Sequence, residues 1–159
     1  MHRISAVLAT SFVATVACAV PAQAASGGSG HPHFIYATPI VSGQDVTVSF
    51  KEAGVGAGAS VNVSTTGTYS FTLACINGGS KHPKAANKTD FSSTRSASGT
   101  FSANAGGNVE ASLTLTPPSD LSSYLSCPPG QTTTQLAGQW TDLSISDTTN
   151  GISLPLSAG

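Results

Sequence analysis

The sequence predicts an all-β fold, an antiparallel β-sandwich of immunoglobulin-like proportions, on three observations. Apolar residues recur with a period of two, glycine and asparagine punctuate the periodic runs, and no stretch carries a sustained helical stripe. The clearest run is 68–75, with Tyr69, Phe71, Leu73 and Cys75 on one face and Thr68, Ser70, Thr72 and Ala74 on the other. The same alternation appears in Val46, Val48 and Phe50, in Val61 and Val63, and in Val109, Ala111, Leu113 and Leu115. It returns in Leu143 and Ile145 and in Ile152, Leu154 and Leu156. With 34–38, a weaker run at 96–103 and 132–137, the expectation is about nine strands, more than one flat sheet of this length holds and suited to two packed sheets. A closed barrel is the alternative. Turn chemistry is expected at Thr66-Gly67, at 105–108, and at Asn150-Gly151, the pair favoured in two-residue hairpin turns that need positive φ.

The first residues read as an export signal. Met1-His2-Arg3 is a short basic start, 4–20 is free of charge, and Pro21-Ala22-Gln23-Ala24 offers small residues for cleavage before Ala25. The run is short and weakly apolar for a bilayer span. A lipid anchor on Cys18 would need an aliphatic residue where Thr15 stands. The expected organisation is therefore a signal peptide at 1–24, a flexible Gly/Ser lead at 25–33, and one sandwich domain at 34–159, secreted and free of the membrane once cleaved.

The expected mature part carries Lys51, Lys81, Lys84, Lys88 and Arg95 against five aspartates and two glutamates, a formal charge of −2. That balance argues against nucleic acid, which calls for a strongly basic face. Charged residues make up 8% of the chain, against about 25% in ordinary soluble proteins. Serine and threonine replace them as the solvent-facing polar residues, a choice that suits exposed strand faces better than exposed helices.

Cys18 leaves with the signal peptide, so Cys75 and Cys127 remain as an even pair in an oxidising compartment and are expected to be joined. Two connections, 77–90 and 117–130, are too long for simple turns. The disulfide would tie the base of the first to the end of the second, placing both at one end of the sandwich. Loops of this length are often functional.

A resemblance accompanies these features. The strings Ser49-Phe50-Lys51-Glu52-Ala53-Gly54, Cys75-Ile76-Asn77-Gly78-Gly79, His82-Pro83-Lys84-Ala85-Ala86-Asn87-Lys88, Cys127-Pro128-Pro129-Gly130-Gln131 and Asp147-Thr148-Thr149-Asn150 resemble a group of small secreted actinobacterial, Streptomyces-type proteins. The resemblance spans most of the mature chain. It implies export and origin, and transfers no active site.

Candidate chemistry is sparse. His31 and His33, with His82, are the residues from which a copper or zinc site would have to be built, but a histidine brace requires histidine as the first mature residue, and Ala25 is expected there. No metal or other cofactor is called for. No G-x-S-x-G elbow is present, and Glu52, Glu110 and the scattered aspartates fall in no glycosidase motif and read as surface charges. Asn62-Val63-Ser64 and Asn87-Lys88-Thr89 match the glycosylation acceptor pattern, a match by chance if the source is bacterial as the resemblance implies.

Two features suggest binding. Lys81, His82, Lys84 and Lys88 make one loop locally basic on a slightly acidic domain, suited to an anionic wall polymer or an acidic partner. Trp140 falls outward by strict alternation from Leu143 and Ile145, where its indole would be a stacking platform for a polysaccharide or a hot spot for another secreted protein, unless a bulge returns it to the core. The expectation is a secreted, non-enzymatic binding or structural module acting at the cell wall or in the extracellular space. The alternative is a protease inhibitor presenting the pinned segment 121–129.

Overall fold

The structure, a computed structural model, describes residues 30–77 and 88–157. The export signal, Cys18, the start of the Gly/Ser lead, and Lys81, His82 and Lys84 lie outside the described residues. The described chain forms seven strands: β1 (His33–Ser42), β2 (Asp45–Ala53), β3 (Ser60–Asn77), β4 (Lys88–Ser102), β5 (Val109–Leu115), β6 (Gln131–Asp147) and β7 (Ile152–Leu156). They make two antiparallel sheets, β1-β2-β5 and β4-β3-β6-β7, with no closed barrel among the described residues. No described helix is long and apolar enough to cross a membrane.

The count is seven rather than nine because two pairs of expected strands are continuous. Val61 and Val63 run on into 68–75 as β3, and 132–137 runs on into Leu143 and Ile145 as β6. Thr66-Gly67, expected as a turn, is instead a bulge: Thr66 pairs Ser144 and Thr68 pairs Thr141, so β6 places two residues, Asp142 and Leu143, against Gly67 alone. Asp142 takes the left-handed backbone conformation there, with φ 51°. The glycine is required for packing, since a Cβ on Gly67 would lie 2.6 Å from Leu143 Cδ2 and 3.2 Å from Trp140.

The Asn150-Gly151 turn is present in a longer form than expected. Asp147 pairs Ile152, leaving a four-residue connection at 148–151 with Gly151 at φ 70°. The two-residue turn lies at Gly43-Gln44, between Ser42 and Asp45. Pro39 and Pro155 fall on β1 and β7, both edge strands, where a missing N–H is tolerated.

Val46, Val48 and Phe50 of β2, Leu113 and Leu115 of β5, Val61, Val63 and Tyr69 of β3, and Leu143 and Ile145 of β6 form the core between the sheets. Sheet β1-β2-β5 is the shorter one. It reaches as far as its Gly43-Gln44 turn, where the Gln44 carbonyl accepts from Trp140 Nε1 at 2.7 Å. Beyond that point β3 and β6 continue, and their inward face would stand in water. The segment between β5 and β6 covers it instead. Its short 3-10 turn, Leu121–Ser123, is capped by Asp120, whose carboxylate accepts from Ser122 N at 3.1 Å and is held below the ordinary range by the Ser122 hydroxyl. Tyr124 then packs edge-on against Phe71 at 5.0 Å and Phe91 at 5.7 Å, with Leu121 and Leu125 beside them. The Cys75–Cys127 disulfide fixes this cover, with an S–S distance of 2.02 Å and a Cα–Cα distance of 5.5 Å.

Candidate functional site

The residues singled out from sequence fall in different places. Lys88 opens β4 as an exposed residue opposite Ala74. Trp140 is buried, 7% exposed, because the Asp142 bulge restores its inward phase. It packs on Tyr69 at 5.0 Å and is not available as a stacking platform. His31 and His33 are exposed, and the His33 ring lies 2.8 Å from the His31 carbonyl. No group of three or more possible metal ligands occurs among the described residues. Leu121, Tyr124 and Leu125 turn inward, so the pinned segment presents none of its three largest side chains outward.

The feature that sequence reading missed is the outer face of the four-stranded sheet. Long paired strands stack their outward residues into cross-strand rungs, with the β6 bulge falling between the rungs of Thr66 and Thr68. Reading across β4, β3 and β6, these are Ser98–Ser64–Ser146, Ser96–Thr66–Ser144, Thr94–Thr68–Thr141 and Ser92–Ser70–Gln139. Thr100 and Asn62 extend the array at one end, and Asp90, Thr72 and Ala137 at the other. Neighbouring strands lie about 4.8 Å apart and alternate residues about 6.6 Å apart, so the hydroxyls form a two-dimensional lattice that the bulge interrupts on β6 between Thr141 and Ser144. The four central rungs carry no ionisable side chain; Asp142 sits at the bulge, and Asp90 and Lys88 lie toward the disulfide end.

Some of these groups bond to one another: Thr66 and Ser144 through their hydroxyls at 2.8 Å, Thr72 to Asp90 at 2.6 Å, and Thr100 to Asn62 at 2.7 Å. The side chains of Ser64, Ser70, Ser92, Ser98 and Gln139 make no hydrogen bond to another described residue; Ser92, Ser98 and Gln139 are exposed and Ser64 and Ser70 half-buried. Two open grooves cross the face. One, of about 580 Å³, lies over Ser70, Thr72, Asp90, Ser92 and Gln139, where Ala137 and Gly138 contribute little bulk and the surface dips. The other, of about 470 Å³, lies over Asn62, Ser64, Ser98, Thr100 and Thr148, beside Gly99.

At the same end as the second groove, two carboxyl groups are drawn completely out of water. Glu52, expected as a surface charge, is 0% exposed, as is Asp147. The error is one of parity: Glu52 continues the inward series Val46, Val48, Phe50, and Asp147 continues Leu143, Ile145. Asp147 accepts from Thr149 N at 2.7 Å, from Asn150 N at 3.3 Å, and from the Asn150 side-chain amide. Neither Glu52 oxygen receives a bond from a described N–H or hydroxyl group. Burial, and then the facing Asp147, push the Glu52 carboxyl up to about 8. Glu110, by contrast, is a surface charge as expected, accepting from Tyr36 Oη at 3.0 Å and lying 3.9 Å from Lys51 Nζ.

Comparison of the chain with protein-family models, with curated proteins and with solved structures found no match.

Proposed function

We propose that the chain is an exported, non-enzymatic binding module whose binding surface is the hydroxyl lattice on β4, β3 and β6, and whose ligand is a neutral, polyhydroxylated polymer of the cell wall or extracellular space. The observation that carries this reading is the set of four rungs without ionisable side chains, with an open groove at each end of the array. A surface dominated by hydroxyls, on which the carboxylates are Asp90 and Asp142, matches a neutral glycan, whose hydroxyls both donate and accept. Each such bond contributes only about 1 kcal/mol net. Useful affinity therefore needs several rungs engaged together by one chain, which favours a polymer over a single sugar. Mounting the hydroxyls on a sheet backed by a packed core reduces the ordering cost of binding. The disulfide suits an oxidising, extracellular setting. The pinned segment commits its large side chains to the core, so a protease-inhibiting loop is not the reading its geometry favours.

Co-sedimentation with insoluble neutral polysaccharides, cellulose and chitin, tests this. The protein is expected to be retained equally at 50 mM and 500 mM salt, because no charge pair is involved. A Ser70→Ala/Gln139→Ala variant should lose retention at least tenfold while keeping its melting temperature within a few degrees, since exposed substitutions usually cost under about 0.5 kcal/mol each. Retention that collapses at high salt would instead favour capture by Lys81, Lys84 and Lys88.

A further inference from the structure

Buried polar groups are almost always paired, and a fully buried carboxyl without a donor demands an explanation. Glu52 extends from β2 of one sheet and Asp147 ends β6 of the other, so the two meet across the interior. Along its own sheet Glu52 pairs with Phe34 and Val109, neither of which can donate from its side chain. Lys51 and Glu110 point to the outer face of that sheet and pair with each other. His33 is exposed and stands opposite Ala53, and on the other sheet Asp147 pairs with Val63. The titratable group that meets Glu52 among the described residues is therefore Asp147, which is itself an acceptor already engaged by the 148–151 turn.

We infer that Glu52 and Asp147 share one proton, and that this proton is a latch holding the two sheets and the 148–151 turn together beside the groove at Asn62 and Thr148. Protonated, the Glu52 O–H donates to the Asp147 carboxylate, which gives one of the two Glu52 oxygens a partner and removes its charge. When a base in solvent takes the proton, two negative charges face each other in the interior, and they must separate or draw in water. Asp147 is the member able to move, and its movement breaks the bonds to Thr149 and Asn150. That turn is docked on β3 through Asn62: its carbonyl accepts from Thr148 N at 2.9 Å, and its N–H donates to Thr149 Oγ1 at 2.9 Å. Asn62 and Thr148 both line the second groove, so the latch sets the shape of one end of the hydroxyl face. This regulatory role rests on reading that face as the binding surface; the latch itself does not.

The direction with pH follows from the raised folded value. Between the ordinary glutamate range and about 8, the folded protein holds a proton that the unfolded chain has released, so stability falls as pH rises through that window. Thermal unfolding of the disulfide-intact mature protein at fixed ionic strength is expected to show a midpoint about 10 °C lower at pH 9 than at pH 5. Glu52→Gln keeps the shape and a donor for Asp147, and its profile over the same range should be nearly flat. Should that variant fail to fold, a carboxyl-carbon NMR titration of the wild type serves instead, with Glu52 expected to titrate near pH 8. A flat wild-type profile, an ordinary Glu52 titration, or a profile altered by EDTA, which would mean that the pair holds a cation, overturns the latch. Retention on cellulose or chitin should fall between pH 6 and pH 9 in the wild type but not in Glu52→Gln. Equal retention at both pH values overturns the regulatory coupling. Absence of retention at either pH sinks the binding reading, while the unfolding profile still decides the latch.

Discussion

Removing the disulfide with a Cys75→Ser/Cys127→Ser double substitution is expected to lower stability by about 4 kcal/mol and the melting midpoint by about 15 °C. The bond spans 52 residues, and releasing a loop of that length restores the corresponding freedom to the unfolded chain. A second consequence is local and separates this from simple entropy. The segment carrying Leu121, Tyr124 and Leu125 is the cover over Phe71 and Phe91, on the part of β3 and β4 that extends beyond the shorter sheet. Without the bond, the cover is held by its own contacts and by the 2.8 Å bond from Thr133 Oγ1 to the Leu125 carbonyl. The variant should therefore bind an apolar dye and be cleaved by proteases within 117–130 below its global midpoint. A midpoint within 3 °C of the wild type, with the segment still resistant, would show that packing alone seats the cover.

Placing a single methyl at either of two glycines in the long sheet is expected to be nearly as damaging. At Gly138 a Cβ would lie 1.9 Å from the Tyr69 hydroxyl and 2.6 Å from Gln135 Nε2, so Tyr69 could keep neither its seat nor its 2.6 Å bond from Gln135. At Gly67 the clash is with Leu143 at 2.6 Å and with Leu115 and Trp140 at 3.2 Å. Those atoms belong to the centre of the core, which has little room to yield. Overpacking of this kind costs about 1–3 kcal/mol or more, and we expect Gly138→Ala and Gly67→Ala each to lose at least about 2 kcal/mol in denaturant unfolding. Gly106→Ala is the control. Its Cβ meets only the side-chain atoms of Asn108 and Asn104, at 3.2 and 3.3 Å, and it should change stability by under about 1 kcal/mol. If Gly67→Ala proves as mild as the control, the bulge does not set the packing of Trp140.

Much of this fold was legible because strand periodicity is a local signal. The runs in β2, β3, β5 and β7, the disulfide and the all-β class followed from parity and from the cysteines outside the expected signal peptide. What failed was punctuation. Gly67 looks the same in sequence whether it reverses the chain or admits a bulge, and only the partner strand decides, since the extra residue lies on β6 at Asp142. The buried carboxyl pair was legible in principle. Glu52 and Asp147 each extend an apolar alternation by one step, and the habit of assigning carboxylates to the surface overrode the period that placed both inside. The cover over Phe71 was not legible, because Leu121, Tyr124 and Leu125 follow no strand or helix period and their destination is set by a cross-link. The hydroxyl lattice was half legible. Ser and Thr were recognisable as exposed strand residues, but the rungs exist only once β4, β3 and β6 are paired in register.

Amide NMR spectra of the disulfide-intact protein spanning 25–159, titrated with neutral oligosaccharides of increasing length, test the central claim most directly. Perturbations should gather on 64–72 of β3, 92–98 of β4 and 139–146 of β6, and the affinity should rise with chain length as further rungs are engaged. Perturbations confined to 117–131 or to the start of β4, or none with any neutral oligosaccharide, would contradict the hydroxyl face as the binding surface.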